Sequence, residues 1–470
     1  MQYDVVIGLE VHAELKTNSK CFCSCKNESS NIPNTNCCPV CVGLPGALPI
    51  LNKKAVELTV KAGLALGCEI NNTAIFERKN YFYPDLSKAY QISQLEKPIC
   101  VKGALEVNGK TIRINRIHLE EDAGKLVHSA DGSTLVDYNR GGVPLMELVT
   151  EPDLTSVEDV IEFLTKLRQI YIYSGVADCL IEKGQMRADV NISLKPKGSN
   201  ELGTRTEMKN LMGFRAIARA VKYEIERQKD LLDSGEEIQQ ETLKWDNDKG
   251  ENFTLRTKED SQDYRYFPEP DLLAVEIDDE FVEQTKTSMP KLPDELKNIY
   301  MTEYNLSEYD SDVLLQFKHV NDFFIECVKI YNKPKTVANW ITTDIMGKIK
   351  TEFGASPILI SPQDMCYLMK NVDDKKINRI NAKEVMFLVW DTDKSAEAET
   401  KRLNYIIDMS DDLVDGLVDK IFTDFANVVE QYKNEQDPKI LNYLVGQVMR
   451  EAKGKANAGD VMEKIKNKMN

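Results

Sequence analysis

Val5-Val6-Ile7-Gly8-Leu9-Glu10-Val11-His12-Ala13-Glu14-Leu15 alternates apolar and polar residues and is dense in β-branched side chains. Both properties predict a strand. Side chains on a strand point alternately to opposite faces, so Glu10, His12 and Glu14 share one face. Leu9, Val11, Ala13 and Leu15 share the other. A carboxylate and an imidazole two residues apart on a rigid strand suit the start of a metal or acid–base site. An antiparallel strand with one wet face has the same pattern. Other segments decide between the two.

Working outward, residues 114–122 form a second such strand, with His118, Glu120 and Asp122 on one face and Glu121 on the other unless a bulge re-aims it. Three consecutive acids repel one another, and a divalent cation would neutralise them. The segment 137–144 places Arg140 before two glycines, an arrangement that can bring a guanidinium and backbone N–H groups to a phosphate. Residues 145–149 read as a strand carrying Glu147. Residues 186–194 alternate most cleanly, with Arg187, Asp189, Asn191 and Ser193 on one face. Residues 205–210 repeat the pattern with Arg205, Glu207 and Lys209.

A merely solvated sheet face would carry more Thr, Ser, Lys and Gln than this recurring mix of acids, His and Arg. In one antiparallel sheet these faces would form a charged floor, with acids for Mg²⁺ and cations for phosphates. Amphipathic helices would cover the apolar back. The helices predicted for that role begin at Asn52, at Ser156 and near Phe214. Their expected buried stripes are Ala55/Leu58/Thr59/Ala62 with Ala65/Leu66, Val157/Ile161/Leu164/Leu167/Ile170 and Phe214/Ile217/Ala218/Val221/Ile225. Such a floor suits phosphoryl transfer, which depends on positioning and charge neutralisation. Neither a P-loop nor a kinase-type Gly-rich loop is present in the sequence.

Six of the 11 cysteines fall between Cys21 and Cys41. The pairs Cys23-x-Cys25 and Cys38-x-x-Cys41, joined by a polar loop, can close a tetrahedral Zn²⁺ site made of sulfur alone. Such a site has no open position and is therefore structural. Cys21 and Cys37 are spare. The N-terminus has no basic segment followed by an apolar one, so no secretory leader is expected and the thiols should stay reduced. No apolar run is long enough for a bilayer, and the expected location is cytoplasmic.

The chain has 470 residues and a formal net charge of −16, so two or three domains are expected and any nucleic-acid contact must use a local patch. Beyond Pro290 the patterns turn helical. From Lys439 onward, Lys439, Arg450, Lys453, Lys455, Lys464, Lys466 and Lys468 face only Glu451, Asp460 and Glu463, a local basic excess that could meet an RNA backbone.

Several segments together resemble the B subunit (GatB) of the tRNA-dependent amidotransferase. They are residues 7–12, 78–85, 89–94 (Ala-Tyr-Gln-Ile-Ser-Gln), 118–124, 189–193, 263–271 and 446–449. The resemblance spans essentially the whole chain. It implies an α+β protein with an antiparallel-sheet cradle similar to glutamine synthetase over residues 1–290, a helical domain over 291–405 and a tRNA-binding tail over 406–470. It implies partners: an amidase (glutaminase) subunit that releases ammonia from glutamine, a small bracing subunit, and misacylated tRNA(Gln) or tRNA(Asn). The implied reaction uses ATP and Mg²⁺ to phosphorylate the side-chain carboxylate of Glu-tRNA(Gln) or Asp-tRNA(Asn), then amidates it. Glu10, His12, Glu120, Glu121, Asp189, Asn191 and Glu207 would be catalytic, with Glu10, His12, Glu121 and Glu207 on Mg²⁺. Lys79, Tyr81, Arg140 and Lys209 would line the substrate and ammonia route, and Cys23, Cys25, Cys38 and Cys41 would hold Zn²⁺. The chain departs from the family at Asn457-Ala458, where proline usually follows asparagine, and at Cys21 and Cys37. Two other readings compete: a ligase acting on a small free carboxylate, and a non-catalytic tRNA-binding adaptor.

Overall fold

The alternation at the N-terminus becomes strand Tyr3–Glu14, and it lies in the middle of a nine-stranded sheet. The computed structural model describes residues 2–129, 131–211, 213–257, 263–351, 354–406, 411–452 and 456–469. Across the sheet the strands run Glu251–Thr257, Glu241–Asp246, Thr206–Leu211, Met186–Pro196, Tyr3–Glu14, Pro144–Thr150, Lys110–Glu121, Cys100–Val107 and Glu69–Ile70. Every neighbouring pair is antiparallel except Thr206–Leu211 with Glu241–Asp246. That parallel pair is joined through helix Phe214–Ser234, as a parallel connection requires a crossover. The chain is thus a mixed α/β protein dominated by one largely antiparallel sheet.

One face of the sheet is apolar. Ile7, Leu9, Val11, Ala13 and Leu15 are at most 1% exposed. They share a core with Val56, Leu58 and Ala62 of helix Lys53–Ala65, with Val160, Phe163 and Leu167 of helix Val157–Ser174, and with Ile217, Ala220 and Val221 of helix Phe214–Ser234. Burying each such aliphatic side chain contributes about 1.5–3 kcal/mol, so the register that hides this row is strongly preferred. Asn52 and Ser156 cap their helices as expected, by accepting from Lys54 and Ala55 N–H and from Asp159 N–H. Two stripes differ from expectation. In helix Val157–Ser174 the buried row is Val160/Phe163/Leu164/Leu167/Tyr171, while Val157, Ile161 and Ile170 sit at its edge. In helix Phe214–Ser234 the buried row continues through Glu224 and Gln228. Glu224 accepts from Thr206 and Arg227, and Gln228 Nε2 donates to Thr206, contacts that a hydropathy pattern does not reveal.

The chain divides into two compact units, Met1–Pro293 and Asp294–Asn470. The second is helical apart from the short hairpin Lys350–Thr351/Gly354–Ala355 among its described residues. Its last four helices, Asp411–Asp424, Ala426–Glu435, Pro438–Glu451 and Ala458–Met469, pack around Val418, Leu444, Val448, Val461 and Ile465. The basic excess read there is partly neutralised, because Lys464 and Lys468 pair with Asp415 and Asp419. Lys453 and Lys455 lie outside the described residues. No described helix is long and apolar enough to cross a membrane.

Candidate active site and metal centre

The polar faces predicted on separate strands come together because those strands are neighbours. Glu10 pairs with Asp189 on one side and Val149 on the other, and Val149 pairs with Arg116. One step along the pleat, His12 pairs with Arg187 and Glu147, and Glu147 pairs with His118. Directly paired residues share a face, so two rows of charged side chains lie side by side. They form the floor of an open pocket of about 1370 Å³.

Two groups on this floor could hold metal ions: His12, Glu120 and Glu147, and Glu10, Asp189 and Glu207. In the first, His12 Nε2 lies 3.3 Å from Glu147 and 3.6 Å from Glu120. His118 Nε2 mirrors it, 3.3 Å from Glu147 and 3.6 Å from Glu120. Burial works against charge on both imidazoles. The carboxylates, Glu147 foremost, outweigh it and hold both above the ordinary histidine value. Burial raises the Glu147 carboxyl, yet the two imidazoles hold it well below its usual range. The buried Nδ1 atoms of His12 and His118 have no hydrogen-bond partner among the described residues.

In the second group, Asn191 Nδ2 donates to Glu10 at 3.0 Å, and Lys209 Nζ reaches Glu207 at 2.9 Å and Asp189 at 3.3 Å. Burial, then the Glu147 carboxylate, push the Glu10 carboxyl above its usual value despite Lys209. Burial also raises Glu207, but Lys209 and a bond from Thr242 outweigh it and leave it lowered. Acids that repel one another in this way favour a divalent cation, and the donor set is all oxygen, as Mg²⁺ prefers.

Of the acids expected on Mg²⁺, Glu121 is not brought to this floor. Its carboxylate accepts from Lys88 Nζ at 2.6 Å and Ile92 N–H at 3.1 Å, at the strand Tyr90–Ser93. The alternation of the strand turned Glu120, not Glu121, toward His12. Glu147 was read only as a residue on a strand, although a lone carboxylate in Pro144–Thr150, a strand otherwise apolar but for Thr150, was a usable signal. Arg187 is committed to Asp122, at 3.0 and 3.4 Å. Arg140 lines the pocket but donates to the Ala123 and Gly124 carbonyls. The N–H groups of Gly141 and Gly142 donate to Tyr138 and Asp122 carbonyls, so the turn does not offer them to a phosphate. Gly142 adopts φ +84°, which glycine tolerates best.

Lys79 and Tyr81 form the wall. Lys79 Nζ sits 4.9 Å from the Tyr264 ring centroid and 5.9 Å from that of Tyr81. Burial lowers its affinity for a proton, but Glu120, Tyr266 and Glu147 hold it above its usual value. The 263–271 segment closes this wall. Phe267–Pro268 pairs with Glu77–Arg78, and the Arg78 guanidinium is bidentate to Glu269 at 2.7 and 2.8 Å.

The cysteine loop gathers four of its six sulfurs into a group that could hold a metal ion. Cys23 to Cys41, Cys38 to Cys41 and Cys25 to Cys41 are separated by 3.4, 3.7 and 3.7 Å between sulfurs. Thiolates about 2.3 Å from a tetrahedral Zn²⁺ stand roughly 3.8 Å apart, so the four sulfurs fit one ion. Cys21 is buried elsewhere, and Cys37 donates to the Asn34 carbonyl. Lys20, fully buried, places Nζ 3.5 Å from Cys41 Sγ and 2.8 Å from the Asn36 carbonyl. Sequence reasoning passed over it.

Comparison with known proteins agrees along the whole chain. The pattern of the GatB/GatE catalytic domain matches residues 5–283, and that of the GatB domain matches residues 322–469. The chain is 48% identical over 479 residues to the B subunit of the aspartyl/glutamyl-tRNA(Asn/Gln) amidotransferase of Caldicellulosiruptor bescii, covering 100% of this chain and 99% of that one. The like-named protein of Lachnoclostridium phytofermentans is 46% identical over 469 residues, covering 98% of each. That of Persephonella marina is 47% identical over 467 residues, covering 97% of each. With both domain patterns and this end-to-end identity, the chain belongs to the GatB family, the B subunits of the tRNA-dependent aspartyl/glutamyl amidotransferases.

Proposed function

We propose that this floor phosphorylates and then amidates the side-chain carboxylate of Glu-tRNA(Gln), Asp-tRNA(Asn) or both, as part of an ATP-dependent carbon–nitrogen ligase that takes its amido nitrogen from glutamine. The observation that carries the reading is the meeting of two acid groups, His12/Glu120/Glu147 and Glu10/Asp189/Glu207, of which all but Glu207 line one open pocket. A free carboxylate is a poor acyl donor. In the first step its oxygen attacks the γ-phosphorus of ATP, the bond to the bridging oxygen breaks, and ADP leaves with that electron pair. In the second, ammonia attacks the acyl carbon, the carbon–oxygen bond to phosphate breaks, and the nitrogen sheds a proton. Bound at the two acid groups, Mg²⁺ would neutralise triphosphate charge. Glu120 and Glu147 suit that role better than Glu121. Asn191 orients Glu10, and Lys209 orients Asp189 and Glu207. Lys79, with Tyr81, is placed to meet an incoming amine at the wall, and Arg140 borders the substrate space.

The reading carries further expectations: a cradle of residues 1–290 related to the glutamine synthetase fold, a helical domain over 291–405, a tRNA-binding tail over 406–470, a structural Zn²⁺, a cytoplasmic setting, and two partner chains, the amidase and the small bracing subunit. The test is ATP turnover by the chain assembled with its partners. ADP release that requires misacylated tRNA supports the reading. Turnover on free glutamate or aspartate supports the small-carboxylate ligase. Full amidation by Glu10→Gln and Glu207→Gln variants would leave only the adaptor.

A further inference from the structure

Three cations stand along the charged rows of the floor: Arg187, Lys209 and Arg116. The first two have carboxylate partners, Arg187 with Asp122 and Lys209 with Asp189 and Glu207. Arg116 has none. Among the described residues its polar contact is one marginal approach, Nη1 to Asn115 Oδ1 at 3.5 Å, and its buried Nε has no partner at all. This is unexpected on an acid-rich floor, where four carboxylates of the two metal-binding groups line the same pocket. A guanidinium has five donors and keeps its charge at any working pH. Leaving one unpaired at a half-buried position is costly unless a ligand completes it.

Its placement says which ligand. Arg116 lies in the cross-strand row of Glu10, two strands away through Val149, and two residues from His118 on its own strand. That puts it roughly 10 Å from Glu10 across the sheet and roughly 7 Å from His118 along it. An anion held by cations on both acid groups would reach it. We propose that Arg116 is a catalytic residue that grips the non-bridging oxygens of the terminal phosphate of ATP. This rests on the phosphoryl-transfer reading above. The planar fork of arginine matches a phosphate in bidentate fashion. The acceptor carboxylate, by contrast, must keep its oxygen free to attack. An RNA backbone would meet the rim of the pocket first, whereas the Nε of Arg116 is shut away from solvent. As negative charge builds on the equatorial oxygens during transfer, the guanidinium holds it in place.

The test uses the assembled complex with misacylated tRNA, glutamine and ATP, comparing wild type with Arg116→Ala and Arg116→Lys. Arg116→Ala should lower kcat/KM for ATP by about 10²–10³-fold, mainly through kcat. Glutamine hydrolysis, tRNA affinity and the melting curve should stay near wild type. Free guanidinium should restore part of kcat to Arg116→Ala and none to Arg116→Lys, which keeps the charge and lacks the fork. A structural role would not respond to guanidinium. Unchanged ATP kinetics in Arg116→Ala would overturn the assignment, and so would a loss confined to tRNA affinity, which would give Arg116 to the RNA backbone. If Arg116→Ala does not fold, Arg116→Lys decides: wild-type kcat for ATP in that variant refutes the fork. A wild-type complex that releases no ADP would sink the phosphoryl-transfer reading itself, a result separate from any behaviour of the variants.

Discussion

Replacing Lys20 by methionine should loosen the proposed zinc site without touching any of its four cysteines. The side chain is 0% exposed, and its ammonium lies 3.5 Å from Cys41 Sγ, 2.8 Å from the Asn36 carbonyl and 3.5 Å from that of Tyr138. No described carboxylate is within ion-pair distance, so the thiolates are its counter-charge. Four thiolates on one Zn²⁺ keep a net double negative charge. At about 4 Å and an effective dielectric near 20, one unit charge pair is worth about 4 kcal/mol. Burying the ammonium offsets part of this. A remainder of about 1.4–2.8 kcal/mol corresponds to a 10–100-fold weaker site, the usual effect of losing a partner outside the ligand set. Methionine keeps an unbranched apolar stem only one atom shorter, so packing is largely preserved. The assay is competition for Zn²⁺ against a chromophoric chelator, paired with cobalt substitution. Lys20→Met should release zinc more readily yet keep the full sulfur-to-cobalt charge-transfer band, whereas Cys38→Ser should lose part of the band. A zinc affinity in Lys20→Met equal to wild type would refute the counter-charge argument.

Glu14 lines the same pocket, and burial followed by the Asp122 charge pushes its carboxyl up to about 7, against Arg187 and Arg140. Its folded value exceeds its unfolded one, so stability falls as pH rises from about 4.5 to 7. The penalty, with the two arginines already counted in the value of about 7, would be at most about 3 kcal/mol, and solvent at the open pocket reduces it. Glu14→Gln should therefore be more stable than wild type at pH 8 and equal at pH 4 in urea denaturation; a pH-independent difference would contradict this. Glu147→Gln removes the carboxylate shared by His12 and His118. It should lower ATP turnover by about 10²-fold or more and weaken Mn²⁺ binding measured by calorimetry, and unchanged Mn²⁺ affinity would exclude Glu147 as a ligand. Glu269→Gln strips the bidentate partner from Arg78, and Glu269 is fully buried. Because Asp271 still pairs with Arg78 at 3.2 Å, a loss of about 1–3 kcal/mol is expected, read as a lower urea midpoint of the first unit; a shift too small to measure would mean the wall does not depend on this pair.

Much of the floor was legible from local pattern. Alternation alone assigned Glu10, His12, His118, Glu120, Asp189, Asn191 and Glu207 to polar faces, because a strand sends successive side chains to opposite sides whatever surrounds it. Likewise Asn52 and Ser156 were readable as helix caps, since a cap is satisfied within its own first turn. The cysteine pairs were legible from spacing, for the same local reason. What pattern could not supply was adjacency. Only the strand order set Glu147 between His12 and His118, and that order follows from burying the apolar back of the sheet against three helices. Only tertiary packing turned Glu121 to Lys88, tied Arg187 to Asp122, drew Lys20 onto Cys41 and left Arg116 without a carboxylate among the described residues. Which side of an element a residue faces is decided by the backbone within a few residues. Which charge it meets is decided by register between strands far apart in the chain, and it is that meeting which gives the floor its chemistry.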